Sequence, residues 1–379
     1  MSKTSLFCLI AILSITFFPS CKEEELNINN LSEFEEFLQD EVDFQNIPAM
    51  SVLIFKEDQT LYENYLGQSD LEQATPLEKD HLFLLASVSK VITATALLQL
   101  EEAGQLGLDD PINDYLPFQV AVPNQNTAIT FRMLLTHTSG IADGDALDDQ
   151  YYYEEDSPTA LDDFLEDYLV PGGQFYNASQ NYHDFTPGTV HEYSNIGNAL
   201  IAVLVEQISK QDFNTYCKAN IFEPLGMSHT FWSLEEAIQS NIPLVRPYNY
   251  ERGDFEAVRH YTFTDYPNGG LRSTGEDLFK FLKNFVVDNP SSSFNLLSAS
   301  TIQAMLTPQI PSIDPEVGLH LFVMNADNNL WGHDGGEEGV ATIMAFNPST
   351  KVGAIILTNQ GDADLDEILV EAYKLGLKL

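Results

Sequence analysis

The chain has 379 residues, 44% of them hydrophobic, so it is long enough to bury a large core in one or two domains. Its 57 acidic residues outnumber its 17 basic residues, which gives a formal net charge of −40. This charge argues against nucleic acid as a partner, because phosphate binding requires clustered lysine and arginine.

The first twenty residues have the pattern of a secretory signal peptide. A lysine precedes the apolar run 6–19, which is shorter than the roughly 20 residues that a membrane-spanning helix needs. The Ser20-Cys21 junction resembles that of a bacterial lipoprotein, whose cysteine becomes lipidated; a simple signal peptide cut elsewhere is the alternative. We predict a signal peptide over 1–20, lipidation at Cys21 and a tether over 21–40. The protein would then sit in the cell envelope of a Gram-negative bacterium, anchored by lipid to the outer membrane or to a periplasm-facing membrane.

Strand patterns lie at both ends of the chain, and helical patterns lie between them. Strands are predicted at 50–55, 61–66, 317–324, 340–346 and 352–357, and helices at 88–103, 132–135, 196–208, 213–221, 278–285 and 364–377. The acidic stretch 27–40 fits either a tether or a first helix. We predict an α+β fold, in which both ends of the chain build one antiparallel sheet that is flanked by helices and interrupted by a mostly helical region. The single domain would span 41–379, with its α/β part at about 41–105 and 268–379 and its helical part at about 106–267.

A Ser-x-x-Lys pattern, which occurs once in the chain, opens the predicted helix at 88–103 as Ser87-Val88-Ser89-Lys90. Three residues make nearly one helical turn, so Ser87 and Lys90 face the same side. A serine hydroxyl is a weak nucleophile and needs a neighbouring base, which a lysine with a lowered pKa can supply. A helix-capping serine followed by a surface lysine is the alternative, and these four residues alone favour it.

Tyr193-Ser194-Asn195 lies where a loop enters the apolar helix predicted at 196–208. Tyr-x-Asn also occurs at Tyr62 and at Tyr266, but neither of those matches precedes a helix in this way. A tyrosine in this setting can exchange a proton with serine if nearby cations lower its pKa. The alternative is a half-buried packing tyrosine.

His333-Asp334-Gly335 occurs between predicted strands and is followed by Gly336. Glycines permit a close approach of the backbone to a ligand, and the amide of Gly336 is placed to donate to an oxyanion. The alternative is a glycine-rich hairpin with an exposed histidine. The chain shows no metal-ligand spacing and no phosphate-binding loop, so we expect neither a metal nor a cofactor.

The three motifs in this order resemble the serine β-lactamase-related family, which includes penicillin-binding peptidases, class C β-lactamases and esterases. Other stretches share the resemblance, which runs from about residue 48 to the C-terminus: 132–140 (RMLLTHTSG), 224–227 (PLGM) and 269–274 (GGLRST). The resemblance implies that Ser87 is the acylated nucleophile, that Lys90 is its partner in proton transfer, and that Tyr193 is the general base and later the acid for the leaving group. It also implies that Asn195, His333, Gly335 and Gly336 bind the substrate, with the amides of Ser87 and Gly336 forming the oxyanion hole.

His333 stands where β-lactamases of this type usually carry lysine, a departure that resembles the esterase and D-amino-acid peptidase branches. His137 and His191 are assigned structural roles. We therefore expect a serine hydrolase that cleaves an amide or ester bond of a small-molecule or peptide substrate. The alternative is a non-hydrolytic penicillin-binding or sensor module of the same fold.

The stretch after Gly140 is strongly acidic and contains no lysine or arginine up to residue 167. Its carboxylates are Asp143, Asp145, Asp148, Asp149, Glu154, Glu155, Asp156, Asp162, Asp163, Glu166 and Asp167. One interpretation is a solvated acidic loop. In the other, the stretch borders the cleft and favours neutral or cationic substrates, since carboxylates raise the local concentration of cations.

Overall fold

The computed structural model describes residues 28–286 and 295–379. The predicted signal peptide and the lipidation site at Cys21 lie outside the described residues, as does the first part of the predicted tether. Within the described part of the chain, no helix is long and apolar enough to cross a membrane.

The described residues form short and long elements in an α+β arrangement. The strands are β1 Ala49–Lys56, β2 Gln59–Asp70, β3 Thr75–Pro76, β4 Phe83–Leu84, β5 Tyr151–Tyr153, β6 Tyr248–Glu251, β7 Asp254–Ala257, β8 Tyr261–Phe263, β9 Arg272–Ser273, β10 Phe322–Asn325, β11 Leu330–Glu337, β12 Val340–Phe346 and β13 Val352–Thr358. The helices are α1 Leu31–Phe44, α2 Ser89–Glu102, α3 Phe131–Leu135, α4 Leu161–Leu169, α5 Asn195–Ser209, α6 Phe213–Cys217, α7 Glu223–Leu225, α8 Leu234–Gln239, α9 Gly275–Leu282, α10 Ala299–Met305 and α11 Asp366–Lys378.

The main sheet has seven antiparallel strands in the order β10-β11-β12-β13-β1-β2-β3. The pairing of β1 with β13, in which Met50 lies opposite Thr358, joins the two ends of the chain. The predicted sheet built from both termini is therefore confirmed. β1 is buried along nearly its whole length because α1 and α11 cover one face of the sheet and α2 and α9 cover the other.

Residues 31–40, which were assigned to the tether, belong to α1. Asn30 caps this helix by accepting the amide N–H of Glu33 at 3.1 Å. Phe34 and Leu38 are completely buried against the sheet. The helix alternative for this stretch is therefore the correct one, and the last part of the predicted tether is part of the folded domain.

The His-x-Gly motif lies in a strand, β11, and not in a loop between strands as predicted. Glycine has a low strand propensity, which explains why Gly335 and Gly336 conceal the strand in the sequence. At Gly335 the absence of a side chain is required by packing: a Cβ there would lie 2.6 Å from the carbonyl oxygen of Leu85 and 2.9 Å from the amide nitrogen of Ser87. Glycine thus allows β11 to lie directly against the turn that carries Ser87.

Helix α2 is the centre of the molecule, and almost all of its residues are buried. It packs against α5, which is also apolar around most of its circumference. A helix that is apolar on all sides is stable only when it is enclosed, and here the sheet and the helical region enclose it. The N-termini of α2 and α5 carry the Ser87 and Tyr193 motifs, and they meet at one edge of the sheet.

Candidate active site

Ser87 lies in a 3₁₀ turn, Ala86–Val88, that continues directly into α2. Ala86 adopts the left-handed conformation with φ of +48°, which is unfavourable for a residue with a side chain. The segment before it is held by the pairing of β4 with β9 and by the hydrogen bond from Leu85 N to Leu271 O, 2.8 Å long. These contacts fix a tight turn that presents the Ser87 hydroxyl at the start of the helix.

Lys90, the second residue of α2, is completely buried, and its Nζ lies 3.0 Å from Ser87 Oγ. The same Nζ donates to the backbone carbonyl oxygen of Asn268 at 2.6 Å. Burial disfavours the charged form and lowers the pKa of Lys90 to about 7. Four carboxylates oppose this shift in part, those of Asp143, Glu337, Asp265 and Asp334. A lysine in this environment is partly neutral near pH 7 and is able to accept a proton from Ser87.

Tyr193 reaches the same point from the loop before α5. Its phenol interacts with the Ser87 side chain, and Lys90 Nζ lies 4.9 Å from the centre of its ring. Tyr193 is 40% exposed as a whole residue, yet desolvation of its phenol raises the pKa, against which the hydrogen bond from Ser87 acts. The structure therefore brings together the three residues predicted to be catalytic, with Tyr193 protonated.

The loop that carries Tyr193 is fixed by the start of α5. Ser194 caps the helix by accepting the amide N–H of Gly197 at 2.8 Å. The carboxylate of Asp143 accepts the amide N–H groups of Asn195 and Ile196 at 2.8 and 3.0 Å, an arrangement that the positive end of a helix favours. Asn195, the first residue of α5, is half-buried beside the cleft.

His333 is buried, with 2% of its surface exposed, and packs behind the phenol. Its ring centre lies 6.3 Å from that of Tyr193 and 5.1 Å from that of Phe322. Its Nδ1 lies 2.5 Å from the carbonyl oxygen of Asp334. Burial and the nearby Lys90 lower the pKa of His333 to about 4, so the imidazole is neutral at physiological pH.

The second half of β11 forms an open edge beside the nucleophile. β10 pairs with β11 only as far as Gly332, so no described strand covers residues 333–337 on that side. His333, Gly335 and Glu337 share one face of the strand, since side chains alternate. Gly335 lies against the amide of Ser87, and Gly336 follows with open space beside its Cα. The backbone amides predicted to form an oxyanion hole therefore lie on neighbouring segments.

Two carboxylates near Lys90, one buried and one half-buried, were missed by sequence reasoning. Asp265 is 4% exposed, and desolvation raises its pKa to about 7. Glu337 follows the oxyanion glycines, and its carboxylate accepts a hydrogen bond of 3.2 Å from the hydroxyl of Tyr151. Glu337 directly follows the His-x-Gly motif and Gly336, so it could have been identified from the sequence, whereas no motif marks Asp265. Among the described residues, no group of three or more histidine, cysteine, aspartate or glutamate side chains is arranged to hold a metal ion.

The comparisons with known proteins agree with this geometry. A model of the Beta-lactamase family matches residues 34–375. Protein flp of Staphylococcus aureus is 24% identical over 347 residues, or 88% of this chain, but the match covers only 64% of that relative. The penicillin-binding protein of Bacillus halodurans is 25% identical with a TM-score of 0.70, and the match covers 88% of this chain and 98% of that one.

The D-amino acid amidase of Ochrobactrum anthropi shares the fold, with 22% identity, a TM-score of 0.71, and coverage of 91% of this chain and 97% of that one. The family model covers most of the chain, and the strands and helices that build the site lie within the match. This chain therefore belongs to the β-lactamase family of serine hydrolases.

Proposed function

We propose that this protein cleaves an amide or ester bond through an acyl-enzyme on Ser87. The observation that carries the proposal is the contact of 3.0 Å between Lys90 Nζ and Ser87 Oγ, made by a lysine whose pKa is lowered to about 7. A neutral amine beside a serine hydroxyl supplies the base that the nucleophile needs. The tyrosine that touches the same hydroxyl supplies a proton for the leaving group.

The pKa directions favour Lys90 over Tyr193 as the base for Ser87 and support Tyr193 as the acid for the leaving group. In the free enzyme Lys90 accepts the Ser87 proton, Oγ forms a bond to the substrate carbonyl carbon, and the amides of Ser87 and Gly336 bind the oxyanion. When the bond to the leaving group breaks, Tyr193 donates its proton to that group and is reprotonated by Lys90. Water then attacks the acyl-enzyme, the same groups carry its proton to Ser87, and a carboxylic acid is released.

The proposed substrates are D-amino-acid peptides, amides or esters. The amidase of the same fold acts on D-amino acid amides by its name, and the open edge of β11 offers unpaired backbone groups to an extended substrate. His333 is neutral where a lysine would carry a permanent charge for a substrate carboxylate. We therefore expect esters and amides to be turned over better than cephalosporins.

Covalent labelling of Ser87 tests this function. A fluorophosphonate or a β-lactam should raise the intact mass by one adduct, and Ser87→Ala should abolish both the labelling and the turnover of a chromogenic ester. Ser300→Ala is the control, because Ser300 is an exposed serine on α10, and its hydroxyl contacts only Ser298 among the described hydrogen bonds. Wild-type turnover by Ser87→Ala would refute the mechanism. Stable labelling without turnover would instead identify the non-hydrolytic penicillin-binding or sensor module.

We further propose that the chain is exported and anchored to the cell envelope through lipid on Cys21. The apolar run and the Ser20-Cys21 junction support this. Because one acyl chain binds membranes only marginally, stable anchoring requires more than one. Cys21→Ser should move the protein from the membrane fraction to the soluble fraction, whereas Cys8→Ser in the same leader should not. Retention of the Cys21→Ser protein in the membrane fraction would contradict the lipid anchor.

A further inference from the structure

His137 contacts three consecutive residues of the loop that carries Tyr193. Its backbone carbonyl accepts the amide N–H of Glu192 at 2.9 Å, and its Nδ1 accepts the amide N–H of Ser194 at 3.1 Å. Between these two hydrogen bonds its imidazole stacks on the phenol of Tyr193, with the ring centres 4.3 Å apart and an angle of 27° between the planes. The backbone of His137 thus binds one neighbour of Tyr193, and its side chain binds the other neighbour and one face of the phenol ring.

His137 is itself rigidly held. It is 1% exposed and adopts the left-handed backbone conformation, with φ of +51°, at the end of α3. His320 meets its ring edge-on at 4.7 Å, and the amide N–H of His320 donates to Leu135 O at 3.0 Å, in the last residue of α3. Packing against the surrounding core therefore fixes both the backbone and the ring of His137.

The hydrogen bonds of His137 require its imidazole to be neutral. Because Nδ1 accepts a hydrogen bond from Ser194, the ring proton must be on Nε2. Burial and the positive charge of Lys90 lower the pKa of His137, which preserves this tautomer. A protonated His137 would lose the acceptor and repel Lys90.

We propose that His137 is the positioning residue for Tyr193, which it holds in hydrogen-bonding reach of Ser87. This inference rests on the proposed function, because it assigns a role in that reaction. The phenol must remain within about 3 Å of the atom whose proton it exchanges. Tyr193 is 40% exposed, so the stacked ring of His137 limits how far the phenol can rotate away from Ser87.

Three substitutions separate the two contacts. His137→Asn keeps an acceptor near the position of Nδ1 and fits the left-handed backbone, but it loses the stacked ring. His137→Phe keeps a ring and loses the acceptor. His137→Ala loses both. The readouts are the rate of Ser87 labelling by a fluorophosphonate and kcat for a chromogenic ester, each divided by the fraction of protein that labels to completion.

We expect His137→Ala to lower both rates about 100-fold, and each of the other two variants to lower them about tenfold, because a misplaced catalytic group loses rate steeply. KM should change less than about twofold, since His137 does not touch the substrate. In a Tyr193→Phe background the same His137 changes should cost less than about twofold, because the group being positioned is gone. His81→Asn removes another buried imidazole, in the segment just before β4, and should leave both rates unchanged.

A loss of equal size in the wild-type and Tyr193→Phe backgrounds would overturn the positioning role, as would unchanged rates in all three His137 variants. If His137→Ala does not fold, the asparagine and phenylalanine variants decide the question in the same two backgrounds. Absence of Ser87 labelling in the wild-type protein would overturn the proposed function itself. That result is distinct from normal labelling that is insensitive to His137, which would overturn only this inference.

Discussion

The two sides of the catalytic cleft hold their proton-carrying groups in different ways. On one side, Lys90 is fixed by hydrogen bonds to Ser87 and to the backbone of Asn268. On the other, Tyr193 rests on the stacked ring of His137 and the edge of His333. Among the described residues, the Nε2 atoms of both histidines are buried without a hydrogen-bond partner. Polar contacts therefore set the lysine, and ring packing sets the tyrosine.

Because of this difference, we expect Lys90 and Tyr193 to be sensitive to different kinds of substitution. The lysine is surrounded by carboxylates, so changes of charge or pH act on it directly. The phenol ring of Tyr193 packs against the neutral imidazoles of His137 and His333, so changes in the shape of those side chains act on its position. Substitutions that alter one property at a time will show whether the two sides work as one unit.

The largest effect is expected when both sides are disabled. Lys90→Ala and Tyr193→Phe should each lower kcat/KM by about 10³-fold, because removal of one member of a catalytic unit disables the unit. The double variant should lose little more than either single variant. Ester hydrolysis by the four proteins, with Ser300→Ala as the control, measures this. Losses that multiply would show that the two sides act independently.

The sequence predicted the sheet but not the surroundings of the lysine. The strand patterns at 340–346 and 352–357 match β12 and β13 closely, because both strands are continuous apolar runs that are buried on both faces. Strand β11 was hidden by its glycines, whose role depends on the neighbouring nucleophile turn. Local pattern therefore predicts an element well when burial alone determines it.

The carboxylates near Lys90 come from separate parts of the chain. Asp143 follows the helix α3, Asp265 follows β8, and Glu337 ends β11. Their proximity arises from tertiary packing, which leaves no spacing to detect in the sequence. A tyrosine of the acidic stretch also has a partner that the sequence does not predict. The guanidinium of Arg259, which lies outside that stretch, is 4.3 Å from the ring centre of Tyr153.

The pH dependence of acylation tests whether the pKa of Lys90 is lowered. Lys90 must be neutral to accept a proton, and it is charged below its pKa of about 7. The rate constant kcat/KM should therefore fall about tenfold for each pH unit below 7 and level off above it. An unperturbed lysine would place this rise near its ordinary pKa of 10.5. A pH profile of ester hydrolysis distinguishes the two cases.

Two substitutions test whether charge controls that profile. Glu337→Gln removes a carboxylate that favours the charged lysine, so the rise should move to lower pH. Asp334→Asn removes another, but its side chain is 70% exposed and solvent screens its charge, so the shift should be smaller. A rise that stays at the same pH in both variants would show that these carboxylates do not set the pKa of Lys90. Shifts of equal size would show that solvent does not screen Asp334 more than Glu337.

The smallest effect is expected from the charge at the cleft itself. Glu337 and Asp265 lie near Lys90, and Tyr151 of the acidic stretch is hydrogen-bonded to Glu337, so part of that stretch borders the site. Carboxylates there should favour a cationic ester over a matched neutral ester severalfold at low salt. The preference should shrink as salt rises, since the Debye length falls from about 10 Å at 0.1 M to about 3 Å at 1 M.

The measurement is the ratio of kcat/KM for the two esters across that salt range. Glu337→Gln should lower the ratio at low salt, because it removes one of the carboxylates near the reacting lysine. Glu36→Gln on α1, which packs on the opposite face of the sheet, is the matched control and should leave the ratio unchanged, since distant exposed charges are screened. A ratio that is flat with salt in the wild-type protein would mean that the acidic stretch is only solvated surface, and that the carboxylates near Lys90 act on its pKa without selecting the substrate.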